Sequence, residues 1–362
     1  MKGAGAALML AAFSILAGPA AAAPRAPAPA ARTAPAPIEI RMVIVTAFEI
    51  GKDTGDMPGE LQAWADEIPL TLPFPAGDRP LRYDPARKLL VLSTGVGTGR
   101  AAVTTMALGS DPRFDLSHAY WLIAAIAGVN PNEASIGSAA WIGDLVDTDL
   151  GYLIDAREIP ADWPTGMVPL SRSKPYETPL PDTKGNLFRL DKGLRDWAFA
   201  LTRDIELADS DGLRRVRGRY TGYPTALTPP VILRGDEATG QGFWHGKILN
   251  EHTERWVRYW TGGEGRFVMT GMEDTGVARA IDALASLGRA DAKRLMVLRT
   301  ASNYTLPPPG MTVADSLKAE SQELTGLRAS LDAAHRIGRR VADEITGRWA
   351  TYRNAIPRRQ AR

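Results

Sequence analysis

Residues 269–284 read MTGMEDTGVARAIDAL. The run Arg266–Thr270 that leads into them is apolar, and the segment after Asp274 is helix-compatible. A strand therefore ends in Met272 and two adjacent carboxylates, Glu273 and Asp274, just as a helix begins. Apolar, β-rich runs recur along the chain at Arg41–Ala47, Lys88–Ser93, Ala119–Ala127, Ser138–Val146, Val231–Leu233 and Arg294–Arg299. Helix-compatible segments also follow Gly99 and Thr312. Strand followed by helix, repeated, predicts an α/β fold with helices on both faces of a sheet. In such sheets ligands bind beyond the carboxyl ends of the strands, so the loops after these runs are where chemistry is expected.

Five such loops stand out. Carboxylates at a helix start can complement the helix dipole, and Glu273 and Asp274 are also the kind of acceptor that a sugar with vicinal hydroxyls requires. The loop STGVGTGR (93–100) lies between a strand and a helix. Its Gly95 and Gly97 let backbone N–H groups approach a ligand where the helix N-terminus adds partial positive charge. Ala127-Gly128 closes another strand with small residues, against which a planar group can lie. Asn303, at the end of the 294–299 run, offers both a donor and an acceptor to a heterocycle edge. Phe243 and Trp244, flanked by glycines, suit stacking on a base. His245 and His252 lie seven apart with no third ligand nearby, so no metal site is expected.

The two ends read differently from the body. Lys2, the apolar stretch 6–17 and the small residues 18–23 have the order of a cleaved signal peptide (1–23), which predicts a periplasmic or secreted protein. Residues 24–37 are almost wholly Pro and Ala, a spacer that cannot bury a core. The folded body is expected over 38–350, with an insertion at 156–230 carrying one helix near Leu194–Leu207. A periodic helix ends the body, with Leu324, Leu327, Leu331, Ala334, Val341 and Ile345 on one face. Its His335 reads as a surface or boundary residue. A basic tail (351–362) follows. The chain has no cysteine, which excludes disulfides and thiolate chemistry. Its 43 Lys+Arg against 41 Asp+Glu give +2, a balance that argues against nucleic acid as the main partner.

The order of these segments resembles that of the purine nucleoside permease family and, through it, of the nucleoside phosphorylases and nucleosidases. MTGMEDTGVARAIDAL (269–284), RTASNYTLPPPG (299–310) and FWHG (243–246) carry the permease likeness. STGVGTGRAAV (93–103), AGVNP (127–131) with IGDLVDTD (142–149), GMEDTG (271–276) and RTASN (299–303) carry the nucleosidase likeness. The resemblance implies a nucleoside phosphorylase-like, three-layer αβα fold with a central mixed sheet, and no cofactor. It implies that Met272 contacts the sugar, Glu273 accepts its 2′ and 3′ hydroxyls, Asn303 bonds the purine, and Phe243 or Trp244 stacks on it. Asn in place of the nucleosidases' Asp favours inosine or guanosine over adenosine. Ile123 stands where phosphorylases of the hexameric branch carry an Arg for phosphate, which favours water over phosphate as the attacking group. The water-activating carboxylate is then expected in the first loop, as Glu49 or Asp53. Two readings stay open: a nucleosidase, with phosphorolysis as a variant, and a nucleoside-binding protein that serves a separate inner-membrane transporter. Relatives of this fold are oligomers, which allows a homo-oligomer here.

Overall fold

The computed structural model describes residues 35–178, 183–320 and 324–358. The expected signal peptide, residues 24–34 of the spacer and the last four residues of the basic tail lie outside the described residues. All seven apolar runs form strands: β1 (Met42–Thr46), β2 (Leu89–Ser93), β3 (Tyr120–Val129), β4 (Ala139–Asp147), β5 (Ile232–Thr239), β6 (Phe267–Gly271) and β7 (Leu295–Tyr304). Every residue of β1, β2 and β4 is buried, which is what near-continuous apolar strands between two helical layers require.

The sheet is mixed. β2, β1, β3 and β7 run parallel in that spatial order, and β4, β5 and β6 are likewise parallel to one another. β7 meets β4 antiparallel, and β6 touches β3 at Met269 and Val129. These pairings close β3, β7, β4, β5 and β6 into a ring, with β1 and β2 as an open wing. The wing continues antiparallel through Leu81–Asp84 and Thr71–Leu72. Closure was not evident from the order of strands. It depends on β7 being ten residues long, enough to pair β3 along its length and β4 at Leu298–Thr300. The β7–β3 register also shifts between Ala301 and Asn303, an irregularity that re-aims the side chains beside it.

The helices are α1 (Gln62–Glu67), α2 (Thr98–Ser110), α3 (Lys192–Thr202), α4 (Asp211–Arg217), α5 (Lys247–Trp260), α6 (Asp274–Ser286), α7 (Val313–Glu320) and α8 (Thr325–Gly347). On one face of the sheet, Ile337, Val341 and Ile345 of α8 pack with Trp64 of α1 against Met42, Ile44 and Leu122. On the other, Ala101 and Leu108 of α2 join Val277, Ile281 and Leu284 of α6 over Val43, Val45 and Trp121. The two helices nearly touch at Gly276, where a Cβ would stand 2.1 Å from the Thr98 carbonyl oxygen.

The 156–230 segment is only partly peripheral. Leu187–Arg189 pairs with β4, and α3 buries Leu194 and Ala198 in the core while Thr202 accepts a 2.9 Å hydrogen bond from the Trp141 indole. A second helix, α4, was not expected; Ser210 caps it through the Leu213 N–H. The start of the basic tail is docked rather than frayed. Tyr352 is buried, and Arg294 donates to the carbonyls of Tyr352 and Arg353. Among the described residues no helix is long and apolar enough to cross a membrane.

Candidate active site

The carboxyl ends of β1, β3, β6 and β7 converge on one cleft of about 170 Å³. Its floor and walls are Ala47, Phe48, Glu60, Ile126, Ala127, Gly128, Met272, Glu273, Arg299, Ser302 and Asn303, with Val96 and Phe243 nearer the mouth. Close approach of side chains to the Gly128 backbone makes the floor. A Cβ on Gly128 would meet Thr270 Oγ1 at 2.9 Å and Asn303 Nδ2 at 3.3 Å. The irregularity in β7 brings Ser302 and Asn303 to this floor together. The Ser302 hydroxyl donates to Asn303 Oδ1 at 2.9 Å, and Asn303 Nδ2 donates to the Tyr304 carbonyl at 3.2 Å. One amide N–H of Asn303 is left for a ligand.

Charge is concentrated at the other end of the cleft. Arg299 is 2% exposed and faces three carboxylates: Glu273 at 2.9 Å, Glu237 at 3.4 Å, and Asp274 through a short contact. It also donates to the Ile126 carbonyl at 2.7 Å. Burial works against the Arg299 charge, but Asp274, Glu237 and Glu273 outweigh it and hold the guanidinium well above its ordinary pKa. One cation cannot balance every carboxylate here. Burial, then the charge of Asp274, pushes Glu237 well above the usual carboxylate range. Neither Glu237 oxygen accepts a hydrogen bond; its nearest charged partner is the Arg299 guanidinium at 3.4 Å. Its carboxylate occupies the space of a side chain missing at Gly271, where a Cβ would lie 1.8 Å from Glu237 Oε1.

Glu60 is the fourth carboxylate. It accepts the Ala47 N–H at 2.5 Å on one oxygen and the Ile126 N–H at 2.8 Å on the other, so it is pinned between the ends of β1 and β3. Burial, with the charge of Glu273 next in weight, pushes its carboxyl up to about 7. Glu60 thus occupies the position in which sequence reasoning expected Glu49 or Asp53. Neither of those lines the cleft. Asp53 pairs with Arg79 at 3.2 Å and Arg82 at 2.5 Å. Glu49 accepts the N–H groups of Ile50 and Gly59 and thereby staples the loop that swings Glu60 inward. Gly59 permits that closure, since a Cβ there would lie 2.7 Å from Glu49 Cα.

Of the other expected residues, Ala127, Gly128, Phe243, Met272, Glu273 and Asn303 come together in the cleft. Gly95 and Gly97 do have left-handed backbones, at φ 79° and 101°. They do not line the cleft, however: the Gly97 N–H donates to Glu273 at 3.2 Å. The start of α2 is covered by Gln241, whose Oε1 accepts from the Thr98 hydroxyl and the Gly99 N–H. The glycine loop therefore orients Glu273 through the Gly97 N–H. Trp244 turns away and packs against Phe267, 6.2 Å between ring centres, leaving Phe243 alone to face a ligand. His245 meets Ser316 and His252 meets Tyr176, on separate partners. His335 is half-buried against Trp64 and Glu67.

The family described as "Purine nucleoside permease (NUP)" matches residues 39–357. A probable purine nucleoside permease of Schizosaccharomyces pombe is 27% identical over 269 residues, covering 72% of this chain and 76% of that protein. A purine nucleoside permease of Candida albicans is 28% identical over 262 residues, 71% of this chain, and the match spans only 64% of that relative's length. Among solved structures, futalosine hydrolase of Helicobacter pylori strain 26695 superposes with a TM-score of 0.50 at 14% identity, covering 84% of this chain and 98% of the other. A 5′-methylthioadenosine/S-adenosylhomocysteine nucleosidase of Neisseria meningitidis, in complex with methylthio-immucillin-A, gives 0.51 at 14% identity, with 85% and 99% covered. At that identity the likeness is one of fold: this chain has the mixed α/β fold of the nucleoside phosphorylases and nucleosidases.

Proposed function

The chain belongs to the purine nucleoside permease family, and from that premise we propose that it binds a purine nucleoside in this cleft and cleaves its N-glycosidic bond with water. The observation that carries the reading is Glu60. A carboxyl poised near neutral pH, held by two backbone donors and facing a sugar-binding carboxylate, is what a general base requires. In the proposed arrangement Glu273 accepts the ribose hydroxyls and Met272 packs on the sugar. Phe243 covers the base, and the free N–H of Asn303 donates to an acceptor on its edge. A 6-oxopurine presents O6 beside N7, two acceptors where adenine sets an amino donor beside N7, so inosine and guanosine are the favoured ligands.

The chemistry follows from charge. As the C1′–N9 bond breaks, its electron pair moves to the base and positive charge develops on the ribose. Glu273 stabilises the ribose, and the Asn303 N–H stabilises the departing base. Water adds to C1′ and gives its proton to Glu60, the purine anion takes a proton from solvent, and Glu60 then returns its proton to solvent. Arg299 orients Glu273 and takes no proton. Three features favour water over phosphate. Ile123, at the position considered for a phosphate-binding Arg, is buried in the core, and Arg299, the cation lining the cleft among the described residues, is committed to carboxylates. Gln241 also fills the start of α2, where an anion would otherwise sit.

The family's name supports a second reading, in which the same cleft binds a nucleoside and hands it to a separate inner-membrane transporter. The signal-peptide pattern of residues 1–23 is compatible with either role outside the cytoplasm. Calorimetric titration with inosine and uridine tests the shared premise. Saturable binding of inosine that Glu273→Ala weakens supports a nucleoside site; equal or absent binding of both contradicts it.

A further inference from the structure

Residues 240–246 link β5 to α5 and carry Phe243, the side chain that covers the base in the proposed arrangement. Phe243 is 53% exposed, so its own packing does not hold it there; the flanks of the loop do. On one side Gln241 ties the loop to the start of α2 and, through its N–H, to Asp149. On the other, Trp244 packs on Phe267, and the Gly246 N–H donates to the Thr305 carbonyl at 2.9 Å. Between them His245 is sunk into the protein at 7% exposure, with Nε2 at 2.9 Å from the hydroxyl of Ser316, itself buried. Ser316 belongs to α7, and every other residue from 313 to 318 is exposed. The helix lies against the end of the loop, where a Cβ on Gly246 would stand 3.6 Å from Val313 Cγ2. Burial lowers the pKa of His245, against the pull of the Tyr304 backbone, so the ring is neutral at pH 7. A neutral ring keeps one N–H and one lone pair, and either satisfies Ser316.

We propose that His245 is a positioning residue for recognition of the base: through the Ser316 hydroxyl it fastens the loop 240–246 to α7 and thereby holds Phe243 over the purine. The proposal rests on the nucleoside reading of the main cleft. It gives a task to the histidine of FWHG (243–246), which the cleavage chemistry does not use. Undoing the bond touches neither the ribose nor Glu60 and Glu273. It widens the positions open to Phe243, and affinity falls by the fraction of molecules in which that ring still stands in place. Stacking on the base is present in the bound nucleoside and through bond breaking alike, so the loss falls on KM and spares kcat.

The test is a double-substitution cycle on the full chain carrying Glu60→Gln, so that turnover does not disturb the equilibrium, with inosine binding read by calorimetry. Ser316→Ala removes only the hydroxyl and should weaken inosine about fivefold, in line with the loss of one hydrogen bond to a buried partner. Phe243→Ala should weaken it about tenfold, a usual worth for an aromatic ring stacked on a base. With Phe243 already replaced, Ser316→Ala should change affinity less than about twofold, because its effect has no ring left to act through. His245→Gln, whose amide keeps a partner for Ser316, should stay within about twofold of the parent. In the chain that retains Glu60, Ser316→Ala should raise KM for inosine and leave kcat within about twofold. Equal weakening in both backgrounds, a loss in kcat with KM unchanged, or an affinity indifferent to Ser316→Ala overturns the proposal. Failure of the parent chain to bind inosine is a different result: it refutes the nucleoside reading, and this proposal falls with it.

Discussion

Glu60→Gln keeps the size of a buried side chain and removes its ability to ionise. In the unfolded chain this carboxyl titrates near 4.5, and in the folded protein at about 7. Its folded pKa is the higher one, so the stability it lends is fully present below 4.5 and is lost as pH rises through 7. The handicap at pH 8 is (7 − 4.5) pH intervals at about 1.36 kcal/mol each, or about 3 kcal/mol. Gln escapes this loss but has one oxygen for two donors. Either the Ala47 or the Ile126 N–H then faces an NH2 group, at a cost of about 1–3 kcal/mol at every pH. The variant should therefore be less stable than the parent by about 1–3 kcal/mol at pH 5, and level with it or up to about 2 kcal/mol more stable at pH 8. Denaturant unfolding at the two pH values measures the difference directly. Base release should fall by about 10²- to 10⁴-fold, the usual worth of a general base, and should lose any rise with pH through about 7. A stability gap between parent and variant that is the same at pH 5 and pH 8 would refute the reasoning, because Glu60 would then ionise normally inside the protein.

Three further outcomes follow from the same geometry. Glu273→Ala should lower turnover by at least about 10³-fold, since it removes the ribose acceptor and one partner of Arg299; unchanged base release would remove Glu273 from the site. Gly271→Ala puts a methyl 1.8 Å from Glu237 Oε1, 2.6 Å from Asp274 Oδ2 and 2.8 Å from Arg299 Nη2. Thermal unfolding should show a loss of about 1–3 kcal/mol, with activity falling as Arg299 is displaced. Asn303→Asp replaces the amide donor with an acceptor and should shift preference from inosine toward adenosine, read as the ratio of kcat/KM for the two.

Much of the fold was legible because its strands are buried on both faces and so read as unbroken apolar runs. The closed ring was not, since it depends on one long strand pairing with two neighbours and on a local register shift at Ser302. In the site, Met272, Glu273 and Asn303 were legible because each sits where an apolar run stops. Glu60 was not, because it reaches the cleft across a loop without periodicity. The available signal was local: Gly59-Glu60 stands just before Leu61, the buried N-cap of α1, and Trp64, buried within that helix. Of the two first-loop carboxylates that sequence offered, Glu49 closes that loop and Asp53 pairs with Arg79 and Arg82. Likewise Gly95 and Gly97 have the backbone expected of a ligand cradle, but the N–H of Gly97 is spent on Glu273. Sequence identifies a loop able to turn its donors inward; only the fold says toward what.

The most direct test of the central claim is hypoxanthine release from inosine by the purified protein in phosphate-free buffer, alongside the Glu60→Gln variant. The account predicts sustained release without phosphate that the variant largely loses. Tight inosine binding with no release, or release that appears only when phosphate is added, would contradict it.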